Sequence, residues 1–317
     1  MKTIATLTMN PTIDVSYDIA SMFHTHKMRT DNEWYAPGGG GINVARVFVR
    51  LGGNARCFYL SGGATGPALD GLIDQHQLVR TRIPIAGPTR IATTVLERNT
   101  SKEFRFTPQG PTISESEWQH CLEVIRDFQC DIMVLSGSLP PGVPDDFYAR
   151  VMRMLRPRGV EFVLDSSGPG LAHGLEAGSL LLVKPSLGEL QQLVGRQLDS
   201  PGEIGKVAMG IVESGKARLV AVTMGHQGAV LARAEGPAFL PALEIPAASA
   251  VGAGDSFVAG MVFALCTGRD EPEAFRFGVA AGSAAVLRAG TGLAHPADIE
   301  RLLRIVAPLQ GTAARSS

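Results

Sequence analysis

At 317 residues the chain is long enough for one large domain or a core with an appendage, and too long for a lone small module. Hydrophobic residues make up 45% and charged ones 19%, so a sizeable apolar core can form and wholesale disorder is disfavoured. The 29 Lys and Arg against 30 Asp and Glu leave a net charge of -1, which argues against a general nucleic-acid binder that needs a basic field.

Four cysteines (Cys57, Cys121, Cys130 and Cys266) are scattered without CxxC spacing. Zinc and disulfide frameworks are therefore poor readings, and a reducing cytosol is the natural one. The N-terminus lacks the long apolar region of a signal peptide, and the run Phe257 to Cys266 is far short of a membrane span. A soluble cytoplasmic protein with no membrane partner is expected.

In chain order, Thr12 to Tyr35 is polar and broken. A helix begins near Ile42 and ends at Gly52-Gly53. Thr89 to Thr107 reads as two alternating strands, Ile91 to Glu97 and Glu103 to Thr107, around Asn99-Thr100-Ser101. From about residue 111 the pattern is regular. Helical stretches near 115–128, 146–155, 187–194 and 203–212 alternate with the apolar runs 132–135, 162–164, 180–183 and 219–222. This alternation indicates a parallel sheet with helices on both faces. Two helices, starting near Gly254 and Pro272, are expected to close the chain. A β-hairpin inserted in such a core cannot bury both faces alone. It is expected to join the 12–35 segment in a small sheet, as a lid over the site or a dimer contact; two edge strands on the main sheet are the alternative.

The strongest local signal is Val251-Gly252-Ala253-Gly254-Asp255-Ser256, followed by an apolar helix. Glycines let successive N–H groups converge, and the helix start adds its positive dipole end, which makes an anion hole. A carboxylate there repels phosphate unless it has a use. The fitting use is a general base for a hydroxyl that attacks phosphorus. Standing alone, the segment also reads as a Gly-rich turn with Asp255 as N-cap. A second signal, Pro37-Gly38-Gly39-Gly40-Gly41-Ile42-Asn43, lets backbone approach a ligand, with Asn43 free to bond a sugar hydroxyl. It is neither the dinucleotide GxGxxG nor a Walker A loop.

Asp165 and Lys184 follow strand ends, where ligands of doubly wound sheets bind, and Glu189 lies on the next helix. Asp165 and Glu189 could hold a hydrated Mg²⁺; helix caps or solvated charges are the bland reading. Lys27, Arg29, Arg90 and Arg105 on the lid-like pieces suit an anionic substrate group. The same charges also serve to protect an edge strand.

Taken together these residues resemble the ribokinase-like PfkB carbohydrate kinase family, nearest its bacterial 6-phosphofructokinase branch. Gly38 to Ala45 resembles the family's first signature and Ser249 to Ser256 its second. The resemblance runs essentially end to end and includes Ser136 to Gly142 and Leu164 to Gly168. It implies a three-layer α/β/α core with a mainly parallel central sheet and a small β-sheet lid, often buried in a homodimer by lid-to-lid packing. The core would span 1–10, 37–85 and 111–310, the lid and dimer contact 11–36 and 86–110, and a frayed tail 311–317.

The activity implied is ATP- and Mg²⁺-dependent phosphorylation of a ketohexose phosphate, fructose 6-phosphate first, with fructose 1-phosphate or tagatose 6-phosphate as alternative acceptors. A catalytically dead sugar-phosphate sensor is the alternative of another class. By resemblance Asp255 is the base, and the amides of Gly252, Ala253 and Gly254 form the anion hole. Asp14, Gly39, Gly40 and Asn43 would hold sugar hydroxyls, with Ser138 a further polar contact. Arg90 and Arg105, with Lys27 nearby, would bind the substrate phosphate or the transferred group. Lys184 and Glu189 would face the nucleotide phosphates and Mg²⁺. Thr223, Gly225 and Gly228 would border the nucleotide, and Gly282 would lie near the adenine. The family's Asn-x-x-Glu reads Ser186-Leu187-Gly188-Glu189 here, so weaker Mg²⁺ or ATP affinity is expected. A monovalent-cation site, formed by carbonyls near Ser249 and Val251 and the loop around Gly290, is also implied. Arg288 and Gly292 change that loop, which leaves K⁺ dependence open.

Overall fold

Ile4–Thr8 (β1) is buried along its whole length, as a strand covered on both faces must be. The computed structural model that places it describes residues 1–288 and 290–309; the tail at 311–317 lies outside them. After β1 come β2 (Thr12–Ile19), β3 (Asp31–Gly38), helix α1 (Gly40–Arg50), β4 (Ala55–Gly62), α2 (Gly66–Asp74) and β5 (Val79–Ile85). The hairpin β6 (Arg90–Glu97) and β7 (Lys102–Phe106) follows. Helices and strands then alternate as α3 (Glu115–Arg126), β8 (Ile132–Ser136), α4 (Phe147–Leu155), β9 (Glu161–Asp165), α5 (Gly168–Ala177) and β10 (Leu180–Val183). Next are α6 (Leu187–Val194), α7 (Pro201–Glu213) and β11 (Ala217–Thr223). The strands β12 (Ala229–Arg233) and β13 (Gly236–Leu240) precede α8 (Ala253–Cys266), α9 (Glu271–Val286) and α10 (Pro296–Leu303).

Nine strands form one sheet in the order β13-β12-β11-β10-β9-β8-β1-β4-β5. Pairing is parallel from β11 to β5 and antiparallel at the β12–β13 edge. Successive strand residues point to opposite faces, so Ile4 enters one apolar cluster and Ala5 the other. Helices α1, α2, α8, α9 and α10 cover the first face, and α3 to α7 the second. From β1 the chain runs to β4 and β5 on one side, and later to β8 and onward on the other. That reversal opens a crevice at the carboxyl ends of β1 and β8, where ligands of such sheets bind.

The remaining strands make a separate four-stranded sheet in the order β3-β2-β6-β7. The polar, broken segment at 12–35 is thus two strands. β2 alternates over Ile13, Asp14 and Val15 but shifts register between Ser16 and Asp18, and β3 shows no alternation because Asp31 to Tyr35 are all exposed. The sequence reading names no counterpart of β1, β4, α2, β5 or α5. The β12–β13 hairpin was not anticipated, and three helices rather than two close the described chain. Pro296 looks like a helix breaker, but at the first turn of α10 its missing N–H costs nothing. Among the described residues no helix is long and apolar enough to cross a membrane.

Candidate active site

The glycine-rich turn between β3 and α1 runs directly against functional side chains. Gly39, the N-cap of α1, has φ +109°, a conformation that glycine adopts without strain. A Cβ on Gly38 would overlap the Asp14 carboxylate. One on Gly40 would overlap Ser136 Oγ and lie 3.3 Å from Asp255 Oδ1. Asn43, in the first turn of α1, donates Nδ2–H to Asp255 Oδ2 at 2.8 Å. Two segments 212 residues apart therefore meet at one carboxylate.

Asp255 lies in the first turn of α8, three residues past the N-cap Gly252, whose φ is +72°. The N-cap is the glycine, so Asp255 keeps its side chain for other partners. Burial pushes the Asp255 carboxyl up to about 7, with Asp165 and Asp14 adding to the rise while Asn43 and Lys184 oppose it. At the start of α8 the first amides have no intrahelical partner, and Ala253 N–H makes only a long bond, 3.4 Å, to the Ala250 carbonyl. Lys184 Nζ comes within 3.5 Å of where a Gly254 Cβ would stand, and it pairs with Asp165 Oδ1 at 3.0 Å. Burial works against the Lys184 charge, but Asp165, Glu189 and Asp255 outweigh it and raise the ammonium pKa. A fixed cation and a helix N-terminus thus converge beside a carboxylate poised near neutrality.

The small sheet contributes Asp14 and Arg90. Burial raises Asp14 to about 6 against the pull of Arg46, Arg105 and Arg90. Arg90 donates from Nη1 to the Pro108 carbonyl at 2.9 Å and from Nη2 to the Asn10 carbonyl at 2.7 Å, while its buried Nε has no partner. Arg105 is exposed on β7, opposite Thr94. Lys27 sits in the exposed loop between β2 and β3. Ser138 is part-buried, one residue past Gly137, which faces the Gly40 amide.

On the nucleotide side, Ser186 is the N-cap of α6 and forms a capping box with Glu189. Ser186 Oγ accepts from Glu189 N–H at 3.3 Å, and Glu189 Oε2 accepts from Ser186 N–H at 2.7 Å. Ser186 therefore has a local structural task of its own. Thr223 bridges to Ser186, and Gly225 and Gly228 make the positive-φ turn just beyond β11. Gly282 lies against the Ala253 carbonyl and Phe257, so its lack of a side chain lets α9 close on the start of α8. Ser249 and Val251 are buried in the turn before α8, tied to the end of α9 by Ser249 N–H and Ala248 N–H on the Val286 carbonyl.

Asp165 commits one oxygen to Lys184 and Glu189 one to Ser186. Among the described residues no three His, Cys, Asp or Glu side chains gather as a metal cage. That donor set fits Mg²⁺ carried in by phosphate oxygens and water, with one or two carboxylates at its edge.

Sequence reasoning passed over Arg46 and Ser136. Arg46 stands one helical turn past Asn43, a spacing that marks a shared face. Ser136 Oγ is buried without a partner beneath Gly40, and only the strand order brings it there.

A mainly parallel sheet, a separate small sheet and a carboxylate at a glycine-rich helix start define a phosphoryl-transfer kinase architecture. The profile for the pfkB family carbohydrate kinases matches residues 6–298. ATP-dependent 6-phosphofructokinase isozyme 2 of Mycobacterium tuberculosis is 39% identical over 306 residues, covering 96% of this chain and 90% of that protein. A crystal structure of phosphofructokinase-2 from Escherichia coli in complex with potassium superposes with TM-score 0.91 at 36% identity, covering 96% of this chain and 99% of that one. The 1-phosphofructokinase of Borreliella burgdorferi is 30% identical over 302 residues, 95% of this chain and 96% of that protein. The chain belongs to the pfkB family of carbohydrate kinases, and its fold is the ribokinase-like one.

Proposed function

We propose that the protein is an ATP-dependent kinase that transfers the γ-phosphoryl group to the C1 hydroxyl of fructose 6-phosphate. The observation that carries this reading is Asp255, a carboxylate with its pKa raised to about 7 beside a helix N-terminus and the Lys184 ammonium. Such a group takes a hydroxyl proton at neutral pH while adjacent cationic groups stabilise phosphoryl charge. The bond formed joins the sugar oxygen to the γ-phosphorus, and the bond broken frees ADP. The hydroxyl proton passes to Asp255. Lys184 and the α8 amides neutralise charge on the transferred group. Asp14 and Asn43 orient the sugar, and Arg90 and Arg105 attract its phosphate. Asp165 and Glu189 would hold Mg²⁺ brought in with the nucleotide, which would supply further charge neutralisation. The Ser186 hydroxyl, already engaged in the α6 cap, lacks the reach of an amide, so Mg²⁺ binding is weaker than with Asn at that position. Ser249 and Val251 are assigned to a K⁺ site.

A phosphorylated acceptor is favoured by Arg90 and Arg105, which with Arg46 outnumber the single Asp14 carboxylate they share and leave positive charge for a substrate phosphate. The 30% identical 1-phosphofructokinase supports a second reading in which fructose 1-phosphate is the acceptor. A homodimer through the small sheet accounts for the exposed Trp34, Tyr35, Ile91 and Phe106 on its strands. A cytoplasmic location accords with the four free cysteines.

ADP release from MgATP, compared across fructose 6-phosphate, fructose 1-phosphate, tagatose 6-phosphate and fructose, tests the reading. Selectivity for fructose 6-phosphate and a loss of about 10²- to 10⁴-fold in Asp255→Ala are expected. Turnover with another sugar alone would replace the substrate, and full activity in Asp255→Ala would remove the base.

A further inference from the structure

Arg46 is a charged side chain with only 5% exposure, set on α1 behind the glycine-rich turn. Its Nη1 donates to the Pro37 carbonyl at 2.8 Å and to Asn43 Oδ1 at 3.1 Å. Its Nε is buried with no partner. On the far end of the same amide, Asn43 Nδ2 donates to Asp255 Oδ2 at 2.8 Å. Asn43 itself is 6% exposed, so water offers its amide little alternative.

The direction of this chain follows from donor chemistry. A guanidinium only donates, so the end of the Asn43 amide that meets Arg46 must be the oxygen. The NH₂ end is thereby presented to Asp255, which as a carboxylate only accepts. Turned by 180°, the amide would set its oxygen against the carboxylate and its NH₂ against the guanidinium, two repulsive contacts. Burying a guanidinium with an unpaired Nε is expensive, and a neutral donor would satisfy the Pro37 carbonyl as well. The pairing with Asn43 is what distinguishes this site from a simple tether. Burial and Arg50 lower the Arg46 pKa to about 10 while Asp14 and Asp255 hold it up, which keeps the side chain charged at neutral pH.

We propose that Arg46 is a positioning residue for phosphoryl transfer, locking the Asn43 amide so that its NH₂ holds the Asp255 carboxylate in line for the acceptor hydroxyl. The inference rests on the assignment of Asp255 as base made above. Arg46 touches no reacting atom. It acts through Asn43.

A double-mutant cycle on kcat tests this, using Arg46→Met, Asn43→Ala and the double variant with fructose 6-phosphate. Alone, Arg46→Met is expected to lower kcat by about 10- to 100-fold with a smaller change in KM, as misplacement of a reacting group does. In the Asn43→Ala background the same change should cost less than about twofold, because the residue through which it acts is gone. Equal losses in both backgrounds would overturn the proposal and leave Arg46 a structural tether. Arg46→Lys, which keeps one donor and the charge, should retain part of the activity and carries the cycle if Arg46→Met does not fold.

A second readout needs no turnover. The Asn43 side-chain amide signal of ¹⁵N-labelled protein, identified by its loss in Asn43→Ala, should be shifted by its carboxylate bond and should change on Arg46→Met. An unchanged signal would overturn the proposal. A wild-type protein inactive on every sugar phosphate would instead overturn the assignment of function, with the amide signal still deciding the role of Arg46.

Discussion

Lys184 Nζ stands 3.0 Å from Asp165 Oδ1 and joins the carboxyl ends of two neighbouring strands. The pairing of Val183 with Leu164 in the β10–β9 register puts the next residues, Lys184 and Asp165, side by side. Both side chains are largely buried, 6% and 13% exposed, and Asp255 lies within range of their charges. A parallel register thus sets the electrostatics of the crevice before any substrate arrives.

Breaking that pair from one side leaves an uncompensated buried charge. Lys184→Met is expected to lower stability by about 3 kcal/mol at pH 8, measured by denaturant unfolding. Adding Asp165→Asn to Lys184→Met should restore most of the loss. A single variant as stable as the wild type would show that the pair contributes no net attraction.

The pH dependence centres on Asp255. Its carboxyl must be ionised to accept a proton, so kcat/KM should fall about tenfold per pH unit below pH 7. Stability runs the other way. The folded state holds this proton up to about pH 7, whereas an unfolded aspartate releases it near 3.8, so acidification between those values favours the fold. Asp255→Asn should therefore be more stable than the wild type by on the order of 1–3 kcal/mol at pH 8, and the difference should vanish towards pH 4. Thermal unfolding across that range checks the sign.

Close backbone approach makes Gly38 intolerant of a side chain. Gly38→Ala would drive its Cβ into the Asp14 carboxylate, and a rise of about tenfold or more in the KM for sugar phosphate is expected. Gly210, in α7, has nothing within 4 Å of a would-be Cβ. There the change to Ala should stabilise by about 0.5–1 kcal/mol and leave kinetics unaltered. Steady-state kinetics and unfolding of the two variants separate steric exclusion from helix propensity.

The alternation of helices and strands beyond residue 111 was legible because apolar runs and helical periods were well separated. Ser186 to Val194 shows the limit of such reading. The Ser-x-x-Glu spacing marks a helix start, yet only the structure assigns both side chains to the α6 cap. The β2 and β3 strands were obscured by the register shift in β2 and by the five exposed residues Asp31 to Tyr35 of β3, which carry no buried apolar pattern.

By itself the sequence determined the elements and the types of chemical group. Local propensity, glycine at positive φ and apolar spacing act over a few residues and are written in the chain. The meeting of Asn43 with Asp255, the burial that lifts that carboxyl to about 7, and the path from Arg46 through Asn43 were decided only by tertiary structure. Strand order brings residues 212 positions apart into contact, and desolvation depends on everything packed around a group rather than on its neighbours along the chain.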